Sequence, residues 1–192
     1  MPDKNKGNSK SNQSKLWMEA ALLKLMETEN YQEITIQEIT DYAGLSRRTF
    51  YRNYSSKEDI LEGCFYKIWA EYRFLVLQQK DISLPNIARV FFTEMQKYTG
   101  FLSVINRHRL LPIFLTKIDE LLPSAFEEVK GKDMSFSKES LQYALAFSTG
   151  GFFRILILWL NDNAQKSPDE MAGILEDFIY ICNYPDNSKG KV

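Results

Sequence analysis

Apolar residues recur at intervals of three and four positions along most of the 192-residue chain. This interval places them on one face of an α-helix, whereas a half-buried strand alternates every two residues. No segment shows that alternation, so the sequence predicts an all-α fold. The expected helices occupy these approximate positions: 12–29, 36 to just before Gly44, 47–52, 57–79, 84–98, 101–109, one ending near 129, one opening after 137, and one starting at 168.

The sharpest local pattern lies between residues 35 and 61. Thr35 followed by Glu38 is a capping box, which predicts that a helix begins at Ile36. Gly44 can take a positive φ at low cost, so this helix is expected to stop there. Ser46 then caps a short basic helix over residues 47–52, RRTFYR. A helix, a glycine turn and a short basic helix form the helix-turn-helix pattern.

Charge supports a local rather than a general role for this stretch. The chain has a net charge of −1 and a calculated pI of about 6.0, which excludes a uniformly basic nucleic-acid-binding coat. From Tyr42 to Lys57, however, there are four basic side chains and no acidic one. This local positive surface makes phosphate a plausible partner.

The length of one predicted helix indicates how the chain divides into domains. A long helix starting after Ser56 shows apolar residues spaced by four and three up to about Gln79, more than a small domain needs. It is therefore expected to join an N-terminal three-helix domain to a larger helical domain for regulation and dimerisation. The predicted segments are a disordered tail 1–11, a helix-turn-helix domain 12–56, an effector-binding and dimerisation domain 57–184, and a disordered tail 185–192.

The first helix is expected to bury one row of apolar side chains against the small domain. That row is Leu16, Ala20, Leu23 and Met26.

The apolar segment 141–160 has the length of a membrane span, but Arg154 interrupts it, and a charged residue at a bilayer centre is costly. The segment carries two apolar rows, which favours a soluble helix covered on one side by its own domain and on the other by a second copy. The last helix begins sharply at Ser167-Pro168-Asp169-Glu170 and is expected to pair with it. Together they predict a homodimer through a four-helix bundle. The dimer-interface residues are predicted to be Leu145, Phe152, Ile155, Trp159, Ile174 and Phe178.

Little in the composition points to catalysis, a metal or a cofactor. Cys64 and Cys182 are far apart in apolar helical patterns, and no secretory signal is recognisable, so buried reduced thiols in a cytoplasmic protein are expected. His108 stands between Arg107 and Arg109, which favours an exposed structural role. With one histidine and no Cys/His cluster, the sequence predicts neither an enzyme nor a metal or cofactor site.

With these residues in view, the chain resembles the tetracycline-repressor (TetR) family of bacterial transcriptional regulators. The family pattern is met by Thr35, Ala43–Gly44, Ser46, Thr49, Tyr51, Lys57–Glu58 and Leu61. Where the family usually has His-Phe, this chain has Asn53–Tyr54, which puts a phosphate contact at position 53 in doubt. Gly150–Gly151, Trp159 and the segment 167–171 resemble the ending of a subgroup related to regulators of dihydroxyacetone-kinase genes.

The resemblance implies binding to double-stranded DNA at a palindromic operator. Arg47 and Arg48 are candidates for base edges or nearby phosphates, because a guanidinium matches guanine O6 and N7. Thr49 is a candidate for a thymine methyl or a phosphate, and Thr35 for a phosphate. By resemblance, Tyr51 and Lys57 hold the DNA backbone. The full predicted DNA-binding set is Thr35, Ser46, Arg47, Arg48, Thr49, Tyr51 and Lys57.

The resemblance also implies an effector pocket in the larger domain, suited to a small, largely apolar molecule. The predicted lining is Trp69, Tyr72, Phe91, Met95, Phe114 and Phe147, although aromatic residues at helical spacing are more often core. The favoured interpretation is a repressor released by such an effector. The alternative is a related adaptor or activator whose C-terminal domain binds a protein.

Overall fold

The computed structural model describes residues 4–130 and 137–183. Over these ranges it contains nine α-helices and no strand, which confirms the predicted all-α class. The helices are α1 (Lys4–Leu25), α2 (Ile36–Tyr42), α3 (Arg47–Asn53), α4 (Lys57–Leu77), α5 (Leu84–Lys97), α6 (Thr99–Arg107), α7 (Leu111–Lys130), α8 (Lys138–Asn161) and α9 (Pro168–Asn183). The predicted C-terminal tail, 185–192, lies outside the described residues.

Helix α1 differs from its prediction at both ends. It begins at Lys4, so residues 4–11, which were predicted to be a disordered tail, are helical. Helix α3 supports this early turn, because the Ser11 hydroxyl donates a hydrogen bond to Asn53 Oδ1 at 2.6 Å. Such a long-range contact leaves no local signal in a polar sequence. At the other end, α1 stops at Leu25 instead of residue 29 and continues into turns.

The buried face of α1 also differs from its prediction. Of the expected row, only Met26 is buried, while Leu16 and Ala20 are exposed and Leu23 is intermediate. The buried residues lie four apart along the helix and are joined by Ala21; they are Ser14, Met18, Leu22 and Met26. Apolar residues occur on more than one side of α1, so their spacing alone does not show which side is buried. The packing of α1 against α2 and α3 determines it.

The chain divides into two compact units. The first contains the residues up to Lys67 together with Val104–Phe114, and the second contains Ile68–Ser103 and the residues from Leu115 onward. The first unit therefore extends past Ser56, where the sequence prediction places the domain boundary. Helices α4, α6 and α7 each have residues in both units.

Each unit has its own apolar core. In the first unit, Phe65 stacks on Phe114 with ring centroids 5.2 Å apart. The largest fully buried side chains of this core are Met18, Leu22, Met26, Ile34, Ile39, Phe50, Ile60, Leu61, Ile105 and Leu111. In the second unit, α5 packs along α9. Phe92 of α5 lies edge-on to Trp159 of α8 at 5.4 Å.

Two of the residues predicted for the dimer face lie in the protomer's own core. Trp159 is only 2% exposed, and its indole Nε1 donates to the Lys166 carbonyl oxygen at 2.8 Å. Leu145 is also buried within the second unit. These two side chains face the protomer's own core, so they are not available to a partner. Phe152 and Ile155 on the same helix are half-buried, whereas Ile174 and Phe178 on α9 are exposed.

The other apolar row of α8 faces solvent. It contains Ala144, Phe147, Gly151 and Leu158. Among the described residues, α8 is also the one helix whose length and composition would suit a membrane span, over Glu139–Asn161. Only 28% of that apolar segment is buried within the protomer, which leaves a long uncovered apolar face.

The remaining local predictions can be compared directly. The start of α9 is confirmed, since the Ser167 N–H donates to Glu170 Oε2 at 2.7 Å and Pro168 is the first helical residue. Cys64 is a free, half-buried thiol, and burial raises its pKa to about 12, so it stays protonated at neutral pH. The side chain of Cys182 lies outside the described part of the protein.

Gly44 provides a direct test of the turn between α2 and α3. An alanine there keeps a φ of +64° and meets no atom within 4 Å of its Cβ, so the cost is backbone strain alone. We expect Gly44→Ala to lower the free energy of unfolding by about 1–2 kcal/mol. Urea denaturation followed by circular dichroism measures this change.

Gly100 is the matched control, because its Cβ position is equally open but it lies within α6 and its φ is not positive. Gly100→Ala should leave stability unchanged or raise it slightly. Equal effects of the two substitutions would contradict the role assigned to the turn.

Candidate nucleic-acid interface

The first element of the interface is the capping box that starts α2. Glu38 N–H donates to Thr35 Oγ1 at 3.2 Å, and Thr35 N–H donates to Glu38 Oε2 at 2.7 Å, which confirms the predicted reciprocal pair. The Thr35 hydroxyl also donates to Glu38 Oε2 at 2.7 Å. Its proton is therefore already used, and the predicted phosphate contact would require this bond to break.

These hydrogen bonds also change the pKa of the Glu38 carboxyl group. The Thr35 hydroxyl, followed by the Thr35 backbone N–H, lowers the pKa of Glu38 below its usual value. A carboxyl group whose pKa falls on folding stabilises the protein at pH values above its unfolded pKa. That contribution is lost as the pH falls through the lowered value, so this helix start is weakened only in acid.

Between α2 and α3 the chain forms a Schellman turn. Leu45 N–H donates to the Thr40 carbonyl at 2.8 Å, and Gly44 N–H donates to the Asp41 carbonyl at 3.1 Å. Gly44 holds the left-handed conformation that this motif requires, at φ +64°. The turn therefore uses the last carbonyls of α2 and redirects the chain into α3 within a few residues.

Helix α3 is held by its cap and by one buried side chain. Ser46 Oγ accepts a hydrogen bond from the Thr49 N–H at 3.2 Å, as the predicted N-cap does. Phe50 is fully buried, and its ring lies edge-on to Tyr51 at 5.5 Å. With Phe50 pointing inward, the opposite side of this short helix faces solvent.

The solvent side of α3 is basic and aromatic. Arg47, Arg48, Tyr51 and Arg52 are all exposed, and their positions i, i+1, i+4 and i+5 fall within one half of the helix circumference. The Arg47 guanidinium lies 6.0 Å from the centroid of the Tyr51 ring, at the limit of a cation–π contact. The structure thus brings together three of the predicted DNA-binding residues and adds Arg52. Below, this set is called the α3 face.

The other predicted residues on α3 have structural hydrogen bonds. The hydroxyls of Ser46 and Thr49 lie 3.0 Å apart at the edge of the α3 face. Asn53, whose contact was in doubt, donates from Nδ2 to the Thr49 carbonyl at 2.8 Å and accepts from Ser11. Sequence reasoning missed this link between α1 and α3, and no local pattern indicates it.

Lys57, predicted to hold the DNA backbone, is bonded inside the first unit in this structure. Its ammonium donates to the carbonyl oxygens of Tyr31, Gln32 and Ile34 at 2.6, 3.2 and 2.8 Å. It also lies 4.5 Å from the centroid of the Tyr31 ring. All three ammonium hydrogens are used, so Lys57 supports the loop before α2, and the predicted phosphate contact would require one of these bonds to break.

Two basic side chains at the end of α6 reach the segment that follows α1. Arg107 and His108 Nε2 both bond to the Met26 carbonyl oxygen, at 2.9 and 2.7 Å. His108 Nδ1 accepts from the Tyr31 N–H at 3.4 Å, which makes Nε2 the protonated nitrogen. The role of His108 is structural as predicted, but the side chain is half-buried instead of exposed.

The predicted effector-pocket residues are divided between two places. In the second unit, Tyr72 lies between Trp69, at 6.1 Å, and Phe91, at 5.6 Å, and Met95 is buried nearby on α5. Phe147 does not join them, since it is 76% exposed on α8.

Phe114 does not join them either, because it stacks on Phe65 in the first unit. Of the lining implied by the family resemblance, Phe147 is thus exposed and Phe114 belongs to the core of the first unit. The pocket itself stays a prediction. Among the described residues, no group of three or more His, Cys, Asp or Glu side chains is placed to hold a metal.

The internal role of Lys57 can be tested by Lys57→Met, which keeps the side-chain length and removes the charge. We expect the free energy of unfolding to fall by about 1–3 kcal/mol, because three carbonyls lose a charged donor. Thermal and urea unfolding measure the change. Lys67→Met, on the exposed side of the same helix, is the control and should be neutral. A Lys57→Met protein of unchanged stability but weaker DNA binding would restore the original prediction.

Comparison with known proteins agrees with this geometry. The family profile described as "Bacterial regulatory proteins, tetR family" matches residues 19–64, and "Transcriptional regulator C-terminal region" matches residues 98–180. Together the two segments make up about two-thirds of the chain. No curated protein matches the sequence.

Two solved structures share the fold. One is a TetR transcriptional regulator from Streptococcus agalactiae 2603V, with 16% identity, a TM-score of 0.60, and coverage of 92% of this chain and 99% of that one. The other is the dihydroxyacetone kinase operon activator DhaS, with 17% identity, a TM-score of 0.55, and coverage of 88% and 95%. The matched profiles span the helix-turn-helix and the C-terminal helices, and the chain belongs to the TetR family of DNA-binding transcriptional regulators.

Proposed function

We propose that this regulator is a homodimeric repressor that reads a palindromic operator through its α3 face and is released by a small molecule. The observation that carries the proposal is the α3 face itself. In a chain of net charge −1, it gathers three arginines and a tyrosine on the exposed side of a capped helix. Phe50, fully buried beneath them, fixes their direction.

The chemistry of the α3 face fits both parts of DNA recognition. Arg47 and Arg48 are at the N-terminal end of the helix, the end that helix-turn-helix proteins direct at base edges. A guanidinium there can bond guanine O6 and N7 in pairs. Tyr51 and Arg52 are one turn further and are suited to phosphate contacts, which position the helix without reading sequence.

A single α3 reads only a half-site, so the proposal requires two copies. The uncovered side of α8 and α9 is the surface suited to this. A Cβ atom added at Gly150 or Gly151 would meet no other atom of the protomer within 4 Å. The surface is therefore open there, and a second helix can approach closely. The exposed large apolar side chains on these two helices are Tyr143, Phe147, Leu158, Ile174, Phe178, Tyr180 and Ile181. Two such helices and their twofold copies would form a four-helix bundle.

Release requires that an effector prefer one arrangement of the dimer. Operator binding needs the two recognition helices about 34–36 Å apart, one DNA turn. The aromatic cluster of Trp69, Tyr72 and Phe91 lies in the second unit, and α4 carries residues of both units. An effector that binds there and favours one setting of α4 would shift the population away from the spacing that binds DNA.

The proposal places the protein in the cytoplasm, where bacterial DNA is accessible. It assigns no catalytic role, because regulators of this family act by binding.

A second candidate is an activator or adaptor whose C-terminal helices bind a protein. Phe74 and Leu77 favour it, because both are exposed large apolar side chains on α4, which is not part of the proposed dimer surface. The structurally similar DhaS is an operon activator by name. A reporter placed behind the bound promoter separates the two candidates. Deleting the regulator should raise expression if it represses and lower expression if it activates.

The α3 face predicts a specific salt dependence. Arg47→Ala and Arg48→Ala should each weaken binding to the operator by about 1–3 kcal/mol if the side chain reads a base. Arg52→Ala should instead weaken binding to all DNA sequences by the same factor. It should also reduce the slope of log affinity against log salt concentration by about 1. Fluorescence anisotropy across a salt series measures both quantities.

Arg73→Ala, on α4 and outside the α3 face, is the matched control and should leave DNA affinity unchanged. If the α3 face variants bind as tightly as the Arg73→Ala protein, the assignment of the interface is wrong.

The dimer surface predicts that Phe178→Glu yields monomers. A charge at this exposed apolar position costs little in the isolated protomer but cannot be buried against a second copy. Analytical ultracentrifugation should show half the native mass, and operator affinity should fall with it. Leu16→Glu, at an exposed leucine of the first unit, is the control and should remain dimeric. A dimeric Phe178→Glu protein would contradict the proposed face.

A further inference from the structure

One buried acid in the second unit has no role in the fold described above. Glu94 lies in α5, and its side chain is 0% exposed. One of its oxygens, Oε2, accepts a hydrogen bond from the Lys97 ammonium at 2.6 Å. The other, Oε1, is buried and has no hydrogen-bond partner, unlike the other buried side-chain oxygens and nitrogens of the described residues.

An unpartnered buried carboxylate oxygen is costly, because it has lost water without gaining a donor. Native proteins satisfy nearly all such groups, so an exception calls for a specific explanation. Lys97 does not supply one, since it reaches only Oε2 and is itself 54% exposed. It can swing away into solvent, whereas Glu94 cannot.

The surroundings of Glu94 are aromatic and acidic. Phe91 and Tyr98 are three residues before and four after it, on the same face of α5. The Phe91 ring lies edge-on to Tyr72 at 5.6 Å and to Phe152 at 5.3 Å. Ring faces and carboxylates both favour a cation.

A second carboxylate is close to the same face. The Tyr98 hydroxyl donates to Glu71 Oε2 at 2.6 Å. Burial, followed by the Glu71 carboxylate and then Glu94, raises the pKa of Tyr98, so this phenol stays neutral. Apart from Lys97, the groups named here are therefore either neutral or negative.

We propose that Glu94 is the anchor for the effector, and that the effector is a small amphipathic cation with an N–H donor, such as a protonated amine. Its ammonium bonds to Oε1, and its apolar part lies against Phe91 and Tyr72. The inference rests on the proposed function of the second unit and refines it, because a purely apolar effector leaves Oε1 unsatisfied. Lys97, bonded to the other oxygen, Oε2, then weakens the attraction of Glu94 for a second cation.

Three probes of one size and different charge test this directly on the full-length protein. They are phenethylammonium, 2-phenylethanol and phenylacetate, titrated by isothermal calorimetry. The cation should bind about tenfold or more tightly than the neutral alcohol. Both can donate a hydrogen bond to Oε1, but only the ammonium adds the attraction of opposite charges in a buried site. Phenylacetate should not bind, since its charge repels Glu94. If the native protein binds the cation no better than the alcohol, that result alone overturns the proposal.

Two variants locate the effect. Glu94→Gln keeps the shape and removes the charge, so the cation should bind it no better than the alcohol. Lys97→Met removes the neighbouring ammonium, whose charge repels a cationic ligand, and should bind the cation more tightly than the native protein. If Glu94 serves only as the structural partner of Lys97, both variants lose thermal stability and Lys97→Met gains no affinity. That result would overturn the proposal even if Glu94→Gln did not fold.

A gel shift with operator DNA separates this inference from the proposed function. Cation binding that depends on Glu94 but leaves DNA binding unchanged would support the site and contradict effector release. Operator binding by a protein that shows no cation selectivity would contradict the site and leave the regulator assignment intact.

Discussion

The direction of the α3 face depends on the turn at Gly44. Its left-handed backbone allows two hydrogen bonds back to α2 and starts α3 almost at once. Phe50 then enters the core of the first unit, and the arginines necessarily point away from it. A longer turn between α2 and α3 would rotate α3 about its axis and bring its arginines toward the core. Recognition by this protein is thus set first by a backbone conformation and only then by side-chain chemistry.

Not every basic side chain of the first unit is available to DNA. Lys57, Arg107 and His108 bond to backbone carbonyls of the segment that joins α1 to α2. This segment has no regular structure, so its carbonyls need donors from elsewhere. The positive surface of the helix-turn-helix is consequently smaller than the sequence suggests. Its DNA affinity is expected to depend on a few arginines, and a few phosphate contacts make a shallow salt dependence.

Features set by neighbouring residues could be predicted from the sequence. The Thr35–Glu38 box, the Gly44 turn, the Ser46 cap and the start at Pro168 each involve residues within five positions of one another. Features set by distant residues could not. The Ser11–Asn53 bond and the Lys57 bonds span 23 to 42 residues, and no periodicity encodes them.

Helix α8 shows the same limit in another form. Its two apolar rows are visible in the sequence, but both satisfy the same periodicity. Only packing shows that the row with Trp159 faces inward and the row with Phe147 faces out. Glu94 leaves no signal in the sequence, because its orphan oxygen is a property of burial.

The most direct test of DNA reading by α3 is selection of binding sites from random double-stranded DNA by the purified protein, followed by sequencing. Two copies of the α3 face predict an enriched palindrome whose half-sites are centred about 10 base pairs, or a multiple, apart. The Arg47→Ala, Arg48→Ala double variant should lose that enrichment while remaining folded. No enriched motif with the native protein, or the same motif with the double variant, would contradict the claim that α3 reads DNA.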